Sequence, residues 1–204
     1  MKVGLFFGSF NPIHVGHLVI ADHVATHTDV DEVWMVVSPQ NPHKKKDSLL
    51  ADYHRLALVK EAVESNPNLK ASDIEFKLPI PSYTVTTLTY LKEKYPETEF
   101  ALIMGEDNLR TLHKWYNYEE IINNHNILVY PRVLTLQEMI AEKDIEKHDD
   151  NGLQDHENVT ILNDVPLMKV SSSFIRNAIK NGEPVRYLLT EPVFKYVQEM
   201  NFYK

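Results

Sequence analysis

Short apolar runs, each closed by a glycine, proline or serine and each followed by a segment of helical period, constrain this chain most. Residues 3–7 (VGLFF) stop at Gly8, 33–37 (VWMVV) at Ser38-Pro39, 100–104 (FALIM) at Gly105, and 127–130 (ILVY) at Pro131. A strand with one face in water alternates polar and apolar residues; these do not, so they read as strands covered on both sides. A weaker strand is expected at 71–76 and a further strand at 159–162. Helical spacing or helix punctuation marks 15–27, 52–65, 84–95, 118–123, 134–147, 172–180 and 191–200. The alternation predicts an α/β fold: a doubly wound parallel sheet with a C-terminal helical segment, in one domain over 1–204. Ligands of such sheets bind at the carboxyl ends of the strands. The acidic stretch 148–158 reads as a surface connection. It fails as a calcium loop because Lys147 and Asn158 stand where the first and last ligands belong.

Charge and composition narrow the partners. With 21 Lys and Arg against 29 Asp and Glu, the formal net charge is −8. That argues against general binding to nucleic acid or an anionic membrane, while leaving room for a local positive pocket. The chain has no cysteine, so disulfides, thiolate chemistry and cysteine-based zinc sites are excluded. Met1-Lys2 and the apolar run after it mimic the start of a secretory signal, but the run is short and Asn11-Pro12 interrupts it. No segment approaches the roughly 20 apolar residues of a membrane helix. A soluble, cytoplasmic protein is expected.

The chemistry concentrates where the first strand hands over to the first helix, in Gly8-Ser9-Phe10-Asn11-Pro12-Ile13-His14-Val15-Gly16-His17. Gly8 allows close backbone approach to a ligand. The helix start offers free N–H groups and about half a positive charge, an anion site. His14 and His17 share one face of the first turn, and Gly16 leaves that turn open. Each imidazole can donate to phosphate oxygens, and a nearby polyanion favours the charged form. Neither the dinucleotide G-x-G-x-x-G pattern nor the P-loop occurs. His14 and His17 lack an obvious third ligand, so no protein metal site is assigned.

This string resembles the signature of the nucleotidylyltransferases with a His-x-Gly-His motif. Their second signature, Ile-Ser-Ser-Thr-x-x-Arg, is similar to Val170-Ser171-Ser172-Ser173-Phe174-Ile175-Arg176, with Val for Ile and Ser for Thr. Four more segments resemble bacterial nicotinate (or nicotinamide) mononucleotide adenylyltransferases over nearly the whole chain. These are the loop 38–44 ending in His43-Lys44, Ser82-Tyr83-Thr84, Gly105-Glu106-Asp107, and Trp115.

The resemblance implies a Rossmann-like fold and adenylyl transfer from ATP to nicotinate mononucleotide, with Mg²⁺ accompanying ATP. It implies that Gly8, Ser9, Phe10, His14, His17, Gly105, Asp107, Ser172 and Arg176 bind ATP, with His14, His17, Arg176 and Lys44 acting on the reacting phosphates. His43, Lys44, Tyr83, Thr84, Trp115, Tyr116 and Arg132 would hold the pyridine mononucleotide. Other transferases of the superfamily, for phosphopantetheine or a phosphorylated alcohol, share the phosphate motifs but have no reason to carry the set Tyr83-Thr84, Asp107 and Trp115. A nucleotide sensor without turnover has no need of the full set His14, His17, Ser172 and Arg176.

Overall fold

The computed structural model describes residues 1–39, 49–131 and 152–204. Among them, six strands form one all-parallel sheet: β1 (Lys2–Gly8), β2 (Glu32–Val37), β3 (Leu69–Ser72), β4 (Glu99–Gly105), β5 (Ile127–Tyr130) and β6 (Val159–Ile161). Their order is β3-β2-β1-β4-β5-β6. The described helices are α1 (Val15–His27), α2 (Asp52–Val63), α3 (Thr84–Lys94), α4 (Glu106–Thr111), α5 (Tyr118–Asn124), α6 (Ser172–Lys180) and α7 (Glu191–Glu199). β1 is central, with Phe6 opposite Met35 of β2 and Ile103 of β4. The winding reverses between β1 and β4, which opens a crevice at their carboxyl ends.

The apolar strands lack a polar face because each feeds two cores. Val3, Leu5, Val36, Leu102, Met104, Ile127 and Val129 pack with Leu88 and Leu91 of α3 and Ile121 of α5. Their alternates Phe6, Val33, Met35, Val37, Ala101, Ile103 and Leu128 pack on the other side with Ala21, Leu58, Ile175 and Val193 of α1, α2, α6 and α7. The C-terminal helices thus share a core with the first helix, which brings residue 176 back to residue 11.

Two local expectations are corrected. The strand expected at 71–76 lies at Leu69–Ser72, and a 3₁₀ turn, Ile74–Lys77, follows it. Its i→i+3 bonds, from the Phe76 N–H to the Asp73 carbonyl at 2.9 Å and from the Leu78 N–H to the Glu75 carbonyl at 3.3 Å, curl the chain out of the ladder, with Ile74 and Glu75 both buried. α4 springs directly from β4, a helix the sequence pattern does not predict because six residues are too few to display a helical period. The helix expected at 134–147 lies outside the described residues.

Candidate active site

A cleft of about 1070 Å³ lies over the carboxyl ends of β1 and β4, edged by the starts of α1 and α6. Gly8, Ser9, Phe10, His14, His17, Asp107, Ser172 and Arg176 line it together. The two signatures meet directly. Ser172 Oγ donates to the Pro12 carbonyl at 2.8 Å, and Arg176 Nη1 donates to the Asn11 carbonyl at 2.8 Å. Arg176 Nη2 also reaches Ser173 Oγ at 3.1 Å. The cap of α6 is Ser171, whose Oγ accepts the Phe174 N–H at 3.2 Å. Ser172 is therefore a joint between helix and loop, and Arg176 is held at the cleft wall by the loop itself.

His14 is the N-cap of α1, in extended conformation. Its N–H donates to His17 Nδ1 at 3.3 Å, and the His17 N–H donates to the His14 carbonyl at 3.0 Å. The two rings stack at 3.7 Å between centroids, 20° apart, and the Phe10 ring meets His17 edge-on at 5.1 Å. Because His17 Nδ1 accepts, its ring proton sits on Nε2, the tautomer that can donate to a phosphate oxygen. His14 is buried, and burial pushes its pKa down to about 4. Without a bound anion it is therefore neutral near pH 7.

The neutral state of His14 has a stability consequence. Its folded pKa lies below the ordinary value of 6.5, so the unfolded chain takes up the proton first as pH falls. The contribution is complete above pH 6.5 and is lost as pH falls toward 4, on the order of 3 kcal/mol. Urea unfolding of the wild type and His14→Asn between pH 7 and 4 should show a shallower acid slope in the variant; parallel slopes would refute the assignment.

The loop before α1 is held from several directions. Phe10 sits at φ 44°, a left-handed conformation uncommon for a bulky residue. Gly8 makes its ring possible, since a Cβ there would fall 2.7 Å from the Phe10 ring. The missing side chain thus seats Phe10, and through it His17. Asn11 is buried, and its Oδ1 accepts from the Leu50 N–H at 3.2 Å and the Tyr203 hydroxyl at 2.9 Å. Gly16 likewise accommodates neighbours: a Cβ would meet Val170 at 2.7 Å and the His14 ring at 3.2 Å.

Sequence reasoning missed Arg55, which is 0% exposed. Its guanidinium donates to the carbonyls of Ser9 (2.6 Å), Ser38 (2.8 Å), Pro39 (3.3 Å) and Leu50 (3.0 Å), and pairs with Asp52. It ties the exits of β1 and β2 to the start of α2. The available signal was a charge on the buried stripe of α2, in line with Leu58 and Val59.

The remaining expected residues lie apart from this cleft lining. Gly105 is buried beneath its edge, and a Cβ there would fall 2.6 Å from Asp107 Oδ1. Its absence lets that carboxylate fold back over the strand end. Tyr83 precedes α3 and Thr84 opens it, again at the carboxyl edge of the sheet. The Tyr83 and Tyr116 rings approach to 4.9 Å. Trp115 follows the 3₁₀ turn Leu112–Lys114 and packs partly buried on the core beneath. Tyr83, Thr84, Trp115 and Tyr116 thus gather on the α3–α4 side. His43, Lys44 and Arg132 lie outside the described residues.

Comparison with known proteins bears on this geometry. Residues 5–178 match the family model described as cytidylyltransferase-like. A protein of Flavobacterium psychrophilum named probable nicotinate-nucleotide adenylyltransferase is 54% identical over 204 residues, covering 100% of both chains. A relative of the same name from Bacteroides fragilis is 42% identical, covering 96% of this chain and 90% of its own. Among solved structures, Plasmodium falciparum nicotinic acid mononucleotide adenylyltransferase complexed with NaAD superposes with a TM-score of 0.77. It covers 99% of this chain and 97% of that one, at 19% identity. A second structure of the Plasmodium falciparum enzyme, complexed with APC, gives 0.76 at 18% identity, covering 99% and 96%. At such identities these structures speak for the fold.

Proposed function

The chain belongs to the nicotinate-nucleotide adenylyltransferases of the cytidylyltransferase-like family, and from that premise we propose that its cleft joins ATP to nicotinate mononucleotide. The observation carrying this reading is the junction of two signatures about 160 residues apart, through Ser172 Oγ on the Pro12 carbonyl. It surrounds one cleft with two helix starts, two imidazoles and a guanidinium, a set suited to a triphosphate.

The 5′-phosphate of the mononucleotide attacks the α-phosphorus of ATP in line. A new P–O bond forms, the bond to the bridging oxygen breaks, and pyrophosphate leaves with the electron pair. The attacking oxygen is already anionic, so no base or covalent nucleophile is needed. Catalysis reduces to positioning and to stabilising charge on the phosphates. His17 donates from Nε2 toward the α- and β-phosphates, and the stacked His14 is available to donate once an anion raises its pKa. Arg176 exchanges its carbonyl partner for the leaving β,γ-phosphates, and Lys44 assists. Gly8, Ser9, Phe10, Gly105, Asp107 and Ser172 shape the ATP side, with Asp107 accepting from ribose hydroxyls. His43, Tyr83, Thr84, Trp115, Tyr116 and Arg132 form the acceptor side.

Mg²⁺ enters as part of the substrate, held mainly by phosphates and water. Among the described residues no group of three potential ligands gathers. Among the described residues no helix is long and apolar enough to cross a membrane. The reading places one catalytic domain over 1–204 in the cytoplasm, acting on small molecules rather than nucleic acid or membrane.

Pyrophosphate release from ATP should appear with nicotinate mononucleotide and be weaker, by kcat/KM, with nicotinamide mononucleotide. Release only with phosphopantetheine or a phosphorylated alcohol would move the chain to another branch. No release with any acceptor would favour a sensor.

A further inference from the structure

Glu75 is a buried carboxyl that the phosphate chemistry leaves unused. It lies in the 3₁₀ turn Ile74–Lys77 and is 1% exposed. Its Oε1 accepts from Thr87 Oγ1 of α3 at 2.9 Å. The Ser38 hydroxyl at the exit of β2 and the Ser82 hydroxyl ahead of α3 also face this carboxyl, and burial raises its pKa against all three hydroxyls. Two buried polar atoms here lack a completed hydrogen bond, Glu75 Oε2 and Ser82 Oγ. Core positions seldom keep an ionisable group half-satisfied, because its desolvation costs stability that an apolar side chain would not lose.

The placement of its three neighbours suggests what the carboxyl does. Thr87 lies one helical turn after Thr84, Ser82 lies two residues before it, and Ser38 follows the last residue of β2. Ser82 and Thr87 bracket Tyr83-Thr84, the segment assigned above to the acceptor. We propose that Glu75 is the positioning residue of the acceptor side, holding Ser82 and Tyr83 at the start of α3 and completing its Ser82 bond when the mononucleotide seats. This rests on the acceptor assignment made above.

The test is steady-state kinetics of the full chain, varying nicotinate mononucleotide and ATP separately. Glu75→Ala and Ser82→Ala should each raise KM for the mononucleotide roughly tenfold, the size of one lost buried hydrogen bond, with KM for ATP within about twofold. The double variant should be little worse than either single one, because both break the same link. Glu75→Gln, which can accept from Thr87 and donate to Ser82, should recover most of the loss. Should Glu75→Ala not fold, Ser82→Ala and Glu75→Gln carry the same comparison. Equal rises in both KM values, or an unchanged acceptor KM, would overturn the proposal alone. A wild type inactive with both pyridine mononucleotides would overturn the acceptor assignment and this proposal with it.

Discussion

His17→Ala is expected to lower kcat at least roughly 100-fold in a protein that remains folded, as loss of one donor to a developing charge commonly does. The geometry sets the role of the ring. Nδ1 is occupied by the His14 N–H at 3.3 Å, the Phe10 ring supports one edge, and the His14 ring covers one face at 3.7 Å. The imidazole is thereby held in one tautomer and one orientation before ATP arrives, so little reorganisation remains for the reaction itself. Removing it also loosens the first turn of α1, at about 1 kcal/mol, comparable to a lost cap. That cost leaves a folded protein of this size largely intact, which circular dichroism and urea unfolding would verify. Near-normal pyrophosphate release from a folded His17→Ala protein would refute the role.

Arg55→Leu is expected to cost about 3–5 kcal/mol of folding stability, the usual result of breaking a buried charged network from one side. The side chain is fully buried, and its loss deprives the carbonyls of Ser9, Ser38, Pro39 and Leu50 of a donor at once. Leucine supplies volume but no hydrogen bond, and buried carbonyls left unmatched carry their full desolvation penalty. Arg55→Lys should recover only a small part, since an ammonium has three donors and no planar fork. Urea unfolding reads the difference, and a loss below about 1 kcal/mol for Arg55→Leu would contradict this account. Because Ser9 adjoins Phe10 at its left-handed φ of 44°, turnover should fall further than the folded fraction does.

Much of this architecture is local and was readable along the chain. The strands at β1, β2, β4 and β5 announced two-sided burial because none carried a polar alternate, and both cores confirm it. α1 and α6 begin and end at the residues their sequence predicts, Val15–His27 and Ser172–Lys180. Their starts are written in neighbouring residues: Asn11-Pro12 before α1, and the serines at 171–173 that include the cap of α6. A likeness of motif, 8–17 with 170–176, pointed to one phosphate-binding cleft before any fold was in hand.

What stayed illegible depends on partners distant in the chain. Periodicity does not specify strand order, and the order β3-β2-β1-β4-β5-β6 is what opens the crevice between β1 and β4. The turn at Ile74–Lys77 reads as a strand along the chain, and only its i→i+3 hydrogen bonds, Phe76 N–H to the Asp73 carbonyl and Leu78 N–H to the Glu75 carbonyl, set it apart. Gly8 reads as room for a ligand in the sequence, and packing adds a second use for that room, the seat of the Phe10 ring. The charge state of His14 follows from burial, a property of the packed molecule. Glu75 reads as a surface charge in the sequence, and Arg55, though in line with Leu58 and Val59, shows its partners only in the packed molecule. Secondary structure is encoded by contacts a few residues apart, whereas the solvation of a side chain is settled by whatever segment packs over it. For this chain, local pattern established the layers and the helix starts of the cleft. Packing over tens to more than a hundred residues established which charges lie inside, and what they hold in place.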